Sequence, residues 1–381
     1  LIIQHFLQWK DSANVLRRQS AASALGRAYL QSDLSFEDRC AAEAAITLLL
    51  DDPSEKVRYA LADALCTSAN APMQVINAFV DDQFDIASLV IARSPILLDR
   101  DLVARVRTAE ERLQVVIANR PHVSNVLAKA IATLGGAEAC VALLNNFNAD
   151  VCGECRSLIA NRHCSTANVR GALLKQKDLE ADIRLKIMKA AANAMASSGL
   201  FGMRRKAEVS NHIVHEAQQR ALVHMVGSSR DTNVDSLIDS LRESGDLTTQ
   251  LLIRTACYGK MDFLARVLSS LSGETPSRVT SILVKERKNQ LRALLAGAGF
   301  SEAVQPVFEY AISLWRDVAQ GKLVAGAQEI TREIMERFEE SAAGSAHMAA
   351  NDDIMSLLRS IYLDAMRDNA RKHAVALTKA A

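Results

Sequence analysis

Four stretches of the chain place apolar and polar residues in the same order. "VVIANRP" at residues 115–121 returns as "SLIANRH" at 157–163, and "VRYALADAL" from Val57 and "ASLVIARSP" from Ala87 align with them. The first column of the alignment holds Val57, Ala87, Leu113 and Cys155, the fourth Ala60, Val90, Val116 and Leu158, and the fifth Leu61, Ile91, Ile117 and Ile159. Positions i, i+3 and i+4 make one apolar stripe on a helix. The sixth column is alanine throughout (Ala62, Ala92, Ala118 and Ala160), and a methyl group there lets a neighbouring helix come close. Pro95 and Pro121 end two copies, where Leu65 and His163 end the others.

Each copy has a start and a sequel. "DDPS" at 51–54 sets acids before a proline suited to a first turn, and Thr108 with Glu111 has capping-box spacing. A second apolar helix follows each copy: "MQVINAFV" (73–80), "DLVARV" (101–106), "NVLAKAIATL" (125–134) and "NVRGALL" (168–174). The unit is a helical hairpin, repeated at irregular spacings of 30, 26 and 42 residues. Hairpins that cannot bury their apolar faces alone must stack, which predicts a curved solenoid.

The flanks extend this plan. "SANVLRRQSAASALGRAYLQS" and "FEDRCAAEAAITLLL" predict two helices ahead of the repeats, and the repeat region is expected over residues 1–200. "SSGLFGMRRK" (197–206) reads as an internal boundary, with a long polar helix at about 207–226 and further hairpins packed on the solenoid over 201–320. C-terminal helices fill 321–381, with "ESAAGSAHMAAND" (340–352) read as a linker. Beyond it Ile354, Leu357, Leu358, Ile361 and Ala365 form a stripe that must dock on its own chain or on a partner, a second copy included.

Composition narrows the class. Hydrophobic residues are 49% of the 381, aromatics 4%, and the 6 Pro and 16 Gly are too few to punctuate an all-β chain, so the expectation is all-α. Net charge is +1, and the first hundred residues are net acidic, which disfavours a dedicated nucleic-acid surface. Seven thinly spread cysteines point to a reducing compartment, and no apolar run approaches the ~18 residues of a membrane span. A cytoplasmic protein is expected.

Candidate chemistry is sparse. Cys152 and Cys155 of "CGEC", with His163 and Cys164, could be counted as four zinc ligands, or the first two as a redox pair at a helix start. Against that, Cys155 occupies the apolar column of Val57 and Leu113, where cysteine packs as a small hydrophobe. Glu208, His212 and His215 share one helix face near Glu216 and His224, a spacing that suits metal ligands and equally a solvated face with Gln218, Gln219 and Arg220. "MRRK" (203–206) and "KERKNQLR" (285–292) are local basic patches, read as solvated faces. No catalytic residue, cofactor site or metal site is singled out. Arg93, Arg120 and Arg162 stand near equivalent helix ends, where they form a ladder for a partner or cap their own helices.

The pattern "DDPS..VR.ALA.AL" resembles HEAT-like repeats. The run "VRYALADALCTSANAPMQVINAFVDDQFDIASLVIARSPILLDRDLVARV", with "LLIRTACYGKMDFLARVLSSLSGETPSRVTSIL" (251–283) and "LRALLAGAGF" (291–300), is similar to an uncharacterised bacterial family, mostly alphaproteobacterial, known as a domain of unknown function. The resemblance spans roughly residues 15–320, rests on structural motifs, implies a HEAT-like fold and carries no activity. The expected function is a non-catalytic interaction or scaffold module with a protein partner. The candidate surface comprises Arg93, Arg120, Arg162, Ile354, Leu358 and Ile361. HEAT-like DNA glycosylases share such an architecture, so a nucleic-acid enzyme is one alternative, and a ligand-responsive sensor another.

Overall fold

The computed structural model describes residues 14–32, 34–177, 179–197, 207–228, 234–285, 287–342 and 348–380. The described residues are all-α, with 21 helices, no β-strand and an isolated bridge between Val123 and Ala149. They divide into two compact units, residues 1–179 and 180–381. The expected boundary at 197–206 falls almost wholly outside the described residues.

In the first unit the helices are α1 (Val15–Gln31), α2 (Phe36–Leu50), α3 (Glu55–Leu65), α4 (Met73–Val80), α5 (Phe84–Arg93) and α6 (Asp99–Thr108). They continue as α7 (Glu111–Ala118), α8 (Asn125–Leu134), α9 (Ala137–Asn145), α10 (Gly153–His163) and α11 (Ala167–Leu174). Packing runs to the next helix but one. The odd helices α1, α3, α5, α7, α9 and α11 follow one another in one layer, while α2 packs on α4, and α6 on α8 on α10, in the other. The repeated apolar column explains the stacking, since Leu61, Ile91, Ile117 and Ile159 are all fully buried. Of the alanine column, Ala62, Ala118 and Ala160 are buried, and Ala92 is half-buried.

The fourth copy departs from the expected register. A single helix separates each of the first three copies (α3, α5, α7), which share the odd layer; two helices, α8 and α9, separate α7 from α10. The 42-residue spacing therefore moves "SLIANRH" into the opposite layer, and α10 is a second rather than a first hairpin helix. The helix starts also shift. Ser54, after Pro53, is the N-cap of α3, and Glu110 that of α7, so Thr108 ends α6 instead of starting a capping box.

The second unit comprises α12 (Ala181–Ser197), α13 (Ala207–Ser228), α14 (Val234–Glu243), α15 (Thr249–Cys257) and α16 (Met261–Ser272). After them come α17 (Pro276–Val284), α18 (Lys288–Gly297), α19 (Gln305–Ala319), α20 (Ala327–Ala342) and α21 (Met348–Ala380). At its centre α15 is buried from Leu251 through Cys257, and it touches α13, α16, α19, α20 and α21. Gly259 closes it with φ of 71°, and a Cβ there would lie 2.8 Å from Trp315, whose Nε1 donates to the Ala256 carbonyl at 2.9 Å. Only glycine relieves both the left-handed backbone and the close indole.

The segment read as a linker is largely helical: residues 340–342 finish α20 and 348–352 begin α21, while 343–347 lie outside the described residues. The stripe on α21 docks on its own chain. Ile354, Leu358 and Ile361 belong to the hydrophobic core of the second unit, beside Phe308, Ile334 and Phe338.

Candidate functional site

An α-helix leaves its last carbonyls without partners inside the helix, and the first unit meets them with side chains from the next helix of the same layer. At the end of α5, Arg120 donates to the Ile91 carbonyl and, at 2.9 Å, to that of Ser94. Asn146 donates to the carbonyls of Ala118 and Arg120 after α7 at 2.9 and 2.8 Å, and Gln176 to that of Leu144 in α9 at 2.7 Å. In the other layer Arg162 donates to Ala132 of α8 at 2.7 Å, and His163 Nε2 lies 3.2 Å from the Gly135 carbonyl. Arg120 and Arg162 thus cap the preceding helix in the stack rather than their own. The duplicated Asn-Arg phrase does the same work in both layers.

The opposite helix ends carry a second ladder. Arg18 grips Asp52 through Nε at 2.9 Å and Nη2 at 3.2 Å, and Arg58 grips Asp82 through Nε at 2.7 Å and Nη2 at 2.8 Å. Each arginine is the fourth residue of its helix, and each aspartate precedes the next odd helix. Burial raises the Asp82 carboxyl, and the hydrogen bonds from Arg58 and the Gln83 N–H outweigh it, leaving a net downward shift from 3.8. These charges stiffen the stack.

Arg93 differs from the other two. It extends to Asp63 at 3.1 Å, with both side chains more than half exposed, and it borders a groove of about 690 Å³ lined by α1, α3, α5 and α7. Tyr59, Leu89, Ala92 and Val116 supply the groove's apolar surface. Glu55, Asp85, Lys56 and Arg93 add two charges of each sign. Tyr59 is 40% exposed, enough to offer its ring to a ligand. Of the six candidate surface residues, Arg93 alone lines this groove. Ile354, Leu358 and Ile361 are 7%, 0% and 0% exposed, so their apolar area is spent inside the second unit and they form no accessible surface.

The thiols divide sharply. Cys152 is the N-cap of α10, its Sγ accepting from the Cys155 N–H at 3.4 Å, and the two sulfurs lie 3.2 Å apart. Cys155 is fully buried, as its apolar column requires, and burial pushes its thiol up to about 12. At half-buried Cys152 burial also opposes ionisation, but hydrogen bonds from Cys155, Asn125 and the Glu154 N–H prevail and lower the pKa. His163 faces Gly135, and among the described residues no group of three or more His, Cys, Asp or Glu side chains is gathered as a metal would need. The side chains of Glu208, His212 and His215 lie outside the described residues.

Sequence reasoning did not find the charge cluster in the second unit. Arg254, in the buried helix α15, donates to Asp364 of α21 at 3.0 Å and to Ser360 at 3.2 Å. Arg220 Nε stands 2.7 Å from the same carboxylate, and Ser360 donates to Glu216 at 2.9 Å. Further along, Tyr258 donates to Asp368 at 3.2 Å, with His224 Nε2 at 3.4 Å from it. The far half of the polar helix α13 is therefore a docking face, where Gln219 is 4% exposed, and not the expected solvated one. One signal was visible: Arg254 interrupts the apolar run "LLIRTAC".

Two ladders of side chains, an open groove on one layer and a charge-pinned terminal helix define an all-α protein of stacked helices. The chain belongs to a bacterial family described as an uncharacterised protein conserved in bacteria (DUF2336), whose model matches residues 86–347. The matched stretch begins and ends later than the expected 15–320. No curated protein matches the chain. No helix among the described residues is long and apolar enough to cross a membrane.

Proposed function

We propose that this chain is a HEAT-like α-solenoid that acts as a non-catalytic interaction module, and that the groove across α1, α3, α5 and α7 receives an amphipathic segment of a partner protein. One observation carries the reading: a groove of about 690 Å³ crosses four successive helices of one layer, with apolar surface set among charges of both signs. An amphipathic segment presents an apolar face to Tyr59 and Val116 and polar groups to the surrounding charges. Affinity would concentrate at Tyr59, an exposed aromatic, and at Arg93. The two charges of each sign cancel, so the groove lacks the basic stripe that holds a phosphate backbone, which favours a protein over nucleic acid and over a glycosylase-type enzyme. The reading needs no cofactor. Seven cysteines, an odd number thinly spread along the chain, support a reducing cytoplasm as its setting.

The test places a photo-crosslinking residue at Lys56 in the full chain within its native bacterium. The expected result is a protein cross-linked at Lys56 and lost when Tyr59→Asp or Arg93→Glu is added, with the melting temperature held. Cross-linking only to a second copy of the chain would make the groove a homodimer contact. Capture unaffected by both substitutions would overturn the proposal.

A further inference from the structure

We propose that Cys152 and Cys155 are a thiol–disulfide exchange pair, with Cys152 as the attacking sulfur, Cys155 as the resolving sulfur, and low-molecular-weight disulfides as the substrate class. The geometry assigns the roles. The sulfurs are 3.2 Å apart, Cys152 is half-buried and reachable, and Cys155 is fully buried beneath it. An incoming disulfide meets Cys152 first, and Cys155 reaches only what Cys152 already holds.

The surroundings favour the same division. As N-cap, Cys152 accepts the Cys155 N–H at 3.4 Å, so a thiolate there faces the positive end of the α10 dipole. Lys129 of α8 has its pKa raised chiefly by its partner Glu154 at 2.7 Å and, to a smaller degree, by both thiols, which places an ammonium near Cys152. Burial holds Cys155 protonated, so it acts second, on a Cys152 Sγ that already carries a leaving thiolate. The buried Cys66, Cys140 and Cys257 lack such an exposed partner sulfur, and Cys40 is exposed on another helix.

The exchange balances. The Cys152 thiolate attacks one sulfur of R–S–S–R; a new S–S bond joins Cys152 Sγ to that sulfur, the original S–S bond between the two small-molecule sulfurs breaks, and R–S⁻ leaves to take a proton from water. Cys155 then gives its proton to water and attacks Cys152 Sγ, forming the internal disulfide and expelling the second R–S⁻. The protein loses two electrons and two protons, and the small disulfide becomes two thiols. Attack by an external dithiol reverses the sequence.

The experiment uses the full-length reduced protein and hydroxyethyl disulfide, followed by alkylation and peptide mapping. The parent is expected to yield a Cys152–Cys155 disulfide that dithiothreitol removes, with Cys152 reacting about tenfold or more faster than Cys40 near neutral pH. In Cys155→Ala, which keeps a small apolar residue in the buried slot, the reaction is expected to stop at hydroxyethyl-capped Cys152. In Cys152→Ser, which keeps a capping oxygen, Cys155 is expected to stay unmodified. A parent that stops at the capped Cys152, or in which Cys40 outpaces Cys152, would overturn the proposal, and this readout stands whether or not either variant folds.

Discussion

Arg254 and Asp364 lie 110 residues apart in the chain and 3.0 Å apart in the fold, each about 4% exposed or less. This pair pins α21 to the central helix α15 from inside the core. Apolar burial of Ile354, Leu358 and Ile361 supplies most of the docking energy, at about 1.5–3 kcal/mol for each fully buried side chain. The charges fix the register in which that burial happens.

Removing one partner strands the other. Asp364→Ala leaves two arginines, Arg254 and Arg220, sharing Glu216 as their remaining carboxylate at 3.6 and 3.4 Å, and is expected to destabilise the second unit by up to about 3–5 kcal/mol. Arg254→Met combined with Asp364→Leu is expected to cost much less than the sum of the single changes. Denaturant unfolding of the four proteins measures this, and full additivity would show that the pair is not coupled.

The Arg58–Asp82 grip sets a pH dependence. The Asp82 carboxyl is lower in the fold than its ordinary 3.8, so the folded state favours the carboxylate. Its stabilisation is complete above the unfolded value and disappears as pH falls through the lower folded value. Asp82→Asn is expected to lose about 1–2 kcal/mol at neutral pH, with the gap from the parent closing only below about pH 4. Melting temperatures of both proteins between neutral and acid pH provide the check.

The carbonyl caps rank themselves. Arg120 is half-buried and serves two carbonyls, whereas Arg162 is exposed and donates to Ala132. Arg120→Ala is therefore expected to cost about 1–2 kcal/mol, and Arg162→Ala about half a kcal/mol. Arg120→Lys should recover little, because a point ammonium cannot copy the fork across Ile91 and Ser94. Thermal unfolding of the three variants separates them, and equal losses at the two arginines would contradict the ranking.

Sequence made the local structure legible and left the long-range pairing hidden. The buried column Leu61, Ile91, Ile117 and Ile159 follows from helical period alone, as does the stripe on α21. The predicted N-terminal helices contain α1 and α2 with little to spare. Hydrophobic period says which face of a helix is covered but not by what, so Ile354 could be placed on a core-facing stripe without naming that core. The partners of Arg254, Arg58 and Arg120 depend on chain segments 24 to 110 residues away, and charge carries no period that reveals such pairing. At Cys152 the spacing was visible, while the 3.2 Å approach of the sulfurs appears only in the fold.

The move of "SLIANRH" to the opposite layer has a wider consequence. In a two-layer stack, the face on which a residue emerges depends on whether an odd or an even number of helices precedes it. Gaining or losing one helix reverses the parity of everything downstream, whereas gaining or losing a pair preserves it. The chain therefore keeps the phrase around Arg120 and Arg162 nearly letter for letter and still shows it in opposite layers. Helices gained between α1 and α7 preserve the α1–α3–α5–α7 groove only in pairs, and a single helix inserted there would dismantle it without altering one groove residue.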